Sequence, residues 1–146
     1  MGSNDRYPGT RCGRMTRPPG VKAILGYDIV AGMSVDDYEH WLADIHFPDL
    51  LANPHLDRIE MNDVVRPITA TSAGGATSAE PTTFYRIVEL HFADHAAYDS
   101  YLAWFEANPI EVERSPVGRT DFGFYVLTNT TVADREHPYV VPPEHG

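Results

Sequence analysis

Residues 34–59, SVDDYEHWLADIHFPDLLANPHLDRI, decide how the rest of the chain is read. Ser34 is suited to cap a helix, with Asp37 three residues on in the manner of a capping box. Val35, Tyr38, Trp41, Leu42 and Ile45 then recur at intervals of three and four, which puts them on one buried stripe of a helix. Pro48 disfavours helical geometry at Phe47, so the helix is predicted to stop at His46-Phe47-Pro48 and to carry His46 at its end. Pro48 can also open a short second turn as a first-position proline.

Strands flank this helix. VKAILGYDIV, residues 21–30, precedes it, and a second strand is predicted from about Asp57 to Val65. Thr83–Phe92 reads as a third strand and TDFGFYVLTNT, residues 120–130, as a fourth. Between those two, Asp94 caps a second helix with the stripe Ala97, Tyr98, Tyr101, Leu102 and Phe105, and Asn108-Pro109 ends it. The order is β-α-β-β-α-β. With right-handed crossovers this is the ferredoxin-like α+β fold, a four-stranded antiparallel sheet with two helices on one face. The folded body is expected over residues 21–131, between a Gly/Pro-rich extension at 1–20 and a Pro-rich tail at 132–146. PITATSAGGATSAEPT, residues 67–82, is a long polar loop of the kind that serves as a lid or stays disordered.

Composition narrows the function. The 146 residues are 42% hydrophobic and 22% charged, with a formal net charge of −10. That balance argues against nucleic acid and anionic membrane surfaces, which need clustered Lys and Arg. No apolar run approaches the roughly 20 residues that span a bilayer. The first residues lack the apolar core of a signal peptide, and the single cysteine, Cys12, rules out an intrachain disulfide framework. A cytoplasmic setting is the expectation. Strand side chains alternate between faces, and both faces of the last two strands are apolar, whereas two helices can cover only one. By this alternation Phe84, Arg86, Val88, Leu90 and Phe92 share a face, and so do Phe122, Phe124 and Val126. The uncovered face predicts a homodimer with two sheets packed together.

The stretch SVDDYEHWLADIHFPDLLANPHLDRI resembles the dimeric α+β barrel superfamily and, within it, the EthD-like branch: Ser, an acidic pair, an aromatic, Trp, then His with a nearby Pro. FYRIVELHFADHAAYDSYLAWF is similar to the strand and helix shared with small polyketide-cyclase-like members. The resemblance covers roughly residues 22–130. It implies a dimeric barrel and a family histidine at His46. It does not imply one reaction, because the superfamily includes cofactor-free cyclases, dehydratases, decarboxylases, isomerases and oxygenases as well as haem proteins. Cyclase-like members carry a histidine where this chain has Arg86.

Six residues are therefore candidates for a site. His46 has the side chain whose ordinary pKa suits proton transfer at neutral pH. Arg86 lies on an apolar face and needs a partner, either an internal carboxylate such as Asp28, Asp44 or Asp49, or an anionic substrate. Tyr27, Trp41, Tyr101 and Trp104 would suit a flat hydrophobic ligand, and each is also ordinary core. Glu89 and His91 point to the opposite face of the same strand as Arg86. The seven histidines form no HxH motif, there is no CxxC, and no GxGxxG, P-loop or GxSxG element occurs, so neither a metal nor another cofactor is expected. The expected function is cofactor-free proton transfer next to a carbonyl of an aromatic or polyketide-like small molecule. A cofactor-independent oxygenase of a phenol or anthrone, and a carrier or haem binder without chemistry, are the competing readings.

Overall fold

The computed structural model describes residues 20–68, 71–72, 75–76 and 83–143. The expected extension with Cys12 and most of the 67–82 loop lie outside the described residues. The elements run β1 (Val21–Ile29), α1 (Val35–Trp41), a π turn (Leu42–His46), α2 (Phe47–Leu51), β2 (Arg58–Asp63), β3 (Thr71–Ser72), β4 (Gly75–Ala76), β5 (Arg86–Phe92), α3 (His95–Ala107), a 3-10 turn (Val112–Arg114) and β6 (Thr120–Asn129). Val21–Thr128 forms one compact unit. No helix among the described residues is long and apolar enough to cross a membrane.

Four strands make one sheet in the order β2-β5-β1-β6, while β3 and β4 pair only with each other inside the 67–82 loop. The four-stranded sheet is antiparallel and its order is the ferredoxin-like one. Register follows from the two central strands. Ala23 lies beside Leu90, Leu25 beside Val88 and Tyr27 beside Arg86. On the other side of β5, Ile59 meets Leu90, Met61 meets Val88 and Asp63 meets Arg86. Paired residues share a face, so Tyr27, Arg86 and Asp63 form one row across three strands. The core collects on this face, from Val21, Ala23, Leu25, Tyr27, Val88, Leu90 and Phe92, under Tyr38, Trp41, Leu42, Leu50 and Tyr101 from the helices.

Three local expectations are corrected. The first helix does not stop at His46-Phe47-Pro48. It runs on through the π turn into α2, and both His46 and Phe47 keep right-handed helical angles. Ser34 does cap the start, its Oγ accepting from the Asp37 N–H at 3.0 Å. The alternation of β5 fails at its first residues. Strict alternation would put Tyr85 on the face opposite Arg86, but its ring packs at 6.3 Å from Tyr27 and 6.2 Å from Tyr38, on the helix face. Its N–H donates both to the Tyr27 carbonyl and to Asp28 Oδ1, which turns the backbone before regular pairing begins. Phe84 goes to the other face and meets Phe124 edge-on at 5.5 Å.

The alternation also slips within β6. Phe122 and Tyr125 line one cavity together, with rings 5.8 Å apart. Phe124 lies on the opposite face, where its ring occupies the place a Gly26 side chain would take. Gly123 yields the same room to Phe84. An odd spacing between same-face residues is the mark of a β-bulge, and glycine is common where a second group approaches the backbone this closely.

Candidate active site

A cavity of about 120 Å³ lies between the helix face of the sheet and the run from α1 to α2. An apolar cavity of about 150 Å³ holds benzene, so this one has the scale of a single ring. Leu25, Tyr27, Val88 and Leu90 form its floor. Tyr38, Leu42, His46, Phe47 and Leu50 form its roof, and Pro116, Thr120, Phe122 and Tyr125 close the side toward β6. Phe122 is 44% exposed and Tyr125 52% exposed, so the wall reaches the surface there.

The π turn positions His46. The Phe47 N–H donates to the Leu42 carbonyl five residues back, and the wider turn carries His46 over Trp41, also five residues earlier. The two rings stack at 4.7 Å with planes 12° apart. Trp41 is itself held, its Nε1 donating to the Arg114 carbonyl at 3.1 Å. Arg114 in turn forks onto Asp49, with Nε and Nη2 at 2.9 and 2.8 Å from the two carboxylate oxygens. That pair draws the Asp49 carboxyl below its usual range. The Arg119 guanidinium lies 5.1 Å from the Trp41 ring centroid.

His46 Nδ1 is shut off from solvent and has no hydrogen-bond partner, alone among the buried side-chain polar atoms of the described residues. A catalytic or metal-bound histidine ordinarily gives its second nitrogen to a carboxylate or carbonyl. Here ring stacking fixes the orientation instead. Burial drives the His46 pKa down to about 4; Asp49 opposes the shift and Arg119 adds to it. At neutral pH the ring is an uncharged imidazole that can both accept and donate a proton.

The polar end of the cavity is made of hydroxyls. Tyr38 Oη and Thr120 Oγ1 share a hydrogen bond of 2.9 Å. Burial raises the pKa of Tyr38 and of Tyr27, so both stay protonated. Tyr27 receives a long hydrogen bond of 3.5 Å from Arg86 Nη1.

Arg86 and His46 do not look into one hollow. Arg86 is 6% exposed and does not line the cavity. Its Nε lies 2.7 Å from Asp63 Oδ1 and its Nη1 3.0 Å from Glu39 Oε2. The internal partners are thus Asp63 and Glu39, and neither Asp28, Asp44 nor Asp49. Burial works against the guanidinium charge, but the bonds to Asp63 and Tyr27 outweigh it and the pKa rises. Tyr85 completes the network by donating to Glu39 Oε2 at 2.6 Å.

Of the aromatic candidates, Tyr27 lines the cavity and Trp41 backs His46. Tyr101 and Trp104 are elsewhere. Tyr101 packs with Phe92, Tyr98 and Phe105, and Trp104 meets Phe105 edge-on. The opposite sheet face holds Glu89 and His91 in a polar network, with Lys22 Nζ 2.9 Å and His91 Nε2 3.2 Å from Glu89 Oε1. Glu60 joins them to make a trio whose ligand atoms lie within 4.8 Å of one another. Lys22 already supplies the countercharge of Glu89 and lowers its pKa. Sequence reasoning missed Thr120, Phe122, Tyr125 and the hydroxyl of Tyr38. A tyrosine on a buried helical stripe was a signal for the last, since its hydroxyl needs a partner.

No family model and no curated protein matches the chain. Solved structures do. An EthD-like protein from Ralstonia eutropha superposes with a TM-score of 0.50 at 12% identity, covering 82% of this chain and 98% of that one. A hypothetical protein from Arabidopsis thaliana also gives 0.50, at 17% identity, covering 84% of this chain and 99% of that one. These likenesses show that the chain has the α+β fold of EthD-like proteins.

The low His46 pKa has a consequence for stability. The unfolded chain takes up a proton near pH 6.5, the folded chain only near pH 4. Protonation therefore favours unfolding as pH falls through that window, and the contribution is fully present only above it. Urea unfolding at pH 7.5 and pH 4.5 is expected to show that wild type loses up to about 3 kcal/mol more than His46→Gln. Equal losses in the two proteins would mean that His46 titrates normally.

Proposed function

We propose that the protein is an EthD-like homodimer whose cavity binds an aromatic or polyketide-like small molecule and moves a proton next to its carbonyl group. The observation that carries this reading is a neutral imidazole, its buried Nδ1 without a partner, on the wall of a ring-sized hydrocarbon cavity. Such a base has little driving force of its own in water. It suits a C–H already acidified by carbonyl groups, and polyketide-like chains supply that chemistry. In this reading His46 accepts the proton, and the hydroxyls of Tyr27 and Tyr38 face the oxygen on which negative charge develops. The apolar walls exclude water and hold the ring flat against the sheet. The reaction completed in this way is a cyclisation, dehydration, decarboxylation or isomerisation.

The homodimer reading rests on the sheet face away from the helices. Ile24 and Ile87 lie on it beside the Phe84–Phe124 pair, and along β6 Val126 is exposed. These apolar side chains share the face with the polar group of Lys22, Glu60, Glu89 and His91, and an apolar patch rimmed by polar residues is the usual form of an association surface.

Two measurements test these statements. In D2O, wild type is expected to accelerate α-proton exchange of aryl methyl ketones, and His46→Ala to lose about 100-fold or more of that acceleration. Full exchange in His46→Ala would remove the mechanism. In light scattering the protein is expected at twice the chain mass of 16.3 kDa, and Ile87→Glu at the chain mass with unchanged circular dichroism. A monomeric wild type would contradict the dimer.

A further inference from the structure

Every arginine near the cavity already has a partner. Asp63 and Glu39 hold Arg86 at 2.7 and 3.0 Å. Asp49 holds Arg114 at 2.8 Å. Arg119 donates from Nη1 to the Ser115 carbonyl at 2.8 Å and covers the face of Trp41. None of the three lines the cavity. The walls offer hydrocarbon, aromatic rings, the hydroxyl-bearing side chains of Tyr27, Tyr38, Thr120 and Tyr125, and the His46 ring. An ionised carboxylate placed there would give up its water and find no counter-ion, which is strongly unfavourable. The two carboxylates grouped around Arg86 oppose an anion further.

A neutral oxygen meets different conditions. It needs one donor, and Tyr27 has one to give. The Tyr27 oxygen accepts from Arg86 Nη1 and shares a hydrogen bond with the Tyr38 hydroxyl; with Tyr38 as the donor of that bond, the Tyr27 proton remains for donation. Tyr27 lies on the cavity floor and His46 in the roof. A ring seated between them can meet both residues.

Resting on the proton-transfer reading and narrowing it to the reactions that need no carboxylate, we infer that the cavity takes an uncharged, single-ring molecule bearing a ketone or phenol oxygen, that the Tyr27 hydroxyl receives this oxygen, and that ring carboxylates of the same size are rejected. Tyr27 is then the residue that sets specificity, and Arg86 serves to hold Tyr27 rather than to bind an acid.

Three probes of matched size, p-cresol, toluene and benzoate, separate the possibilities when titrated at pH 7 and followed by the NMR signals of the His46 ring. The expected order is p-cresol about fivefold tighter than toluene, and benzoate about tenfold or more weaker than p-cresol. In Tyr27→Phe the advantage of p-cresol over toluene disappears while toluene binds as before. Benzoate binding as tightly as p-cresol, or an advantage of p-cresol that survives in Tyr27→Phe, overturns the inference alone. A cavity that takes none of the three probes overturns it together with the proton-transfer reading.

Discussion

Pro48 has no N–H, and it sits inside a continuous helical run. In an α-helix its ring would press on the carbonyl of Asp44, four residues back. The chain meets this constraint with the π turn Leu42–His46, which ends two residues before the proline. One extra residue in the turn brings His46 above Trp41. The site follows from that displacement. Stacking replaces the usual hydrogen bond as the orienting contact, the ring is drawn out of water, and its Nδ1 is left without a partner. π turns recur at functional sites, and here the chemical reason is visible: a regular helix would not place the same imidazole in the same stack.

Two arginine clamps brace this arrangement. Arg114 ties the segment before β6 to α2 through Asp49 and fixes Trp41 through its own carbonyl. Arg86 crosslinks β5 to the edge strand through Asp63 and to α1 through Glu39. A buried guanidinium is tolerated only with such partners, and removing one of them would strand the other charge. The same pairing withdraws Arg86 from ligand binding. The positive charges therefore support the cavity walls, while neutral groups line the cavity.

The fold was legible because its signals are periodic. Tyr38, Trp41 and Leu42 mark one buried helix face, and the alternation in β1 and β5 marks the central strands; Val35 and Leu102, expected on the buried stripes, are exposed instead. The topology then follows from the element order. What alternation misplaced, at Tyr85 and at Phe122 to Tyr125, lies where hydrogen bonding to Asp28 or a bulge at Gly123 breaks the two-residue period. Pro48 was read as a stop because proline usually is one; packing of Phe47 and Leu50 on the core outweighs that preference. The places of His46 and Tyr27 on the cavity could be anticipated from residue type and face; Trp41, expected as a ligand wall, instead lies behind His46 outside the cavity lining. The carboxylates that hold Arg86 could not, since Asp63 meets it through strand register and Glu39 through the docking of α1.

The central claim is that His46 is a neutral imidazole enclosed in the cavity. Ring-nitrogen NMR of His46 against pH measures this directly. The account predicts an uncharged ring throughout the neutral range, with protonation only near pH 4, and a change in its signals when a neutral ring compound enters. A His46 that titrates near pH 6.5, as an exposed histidine does, and ignores such compounds would contradict it.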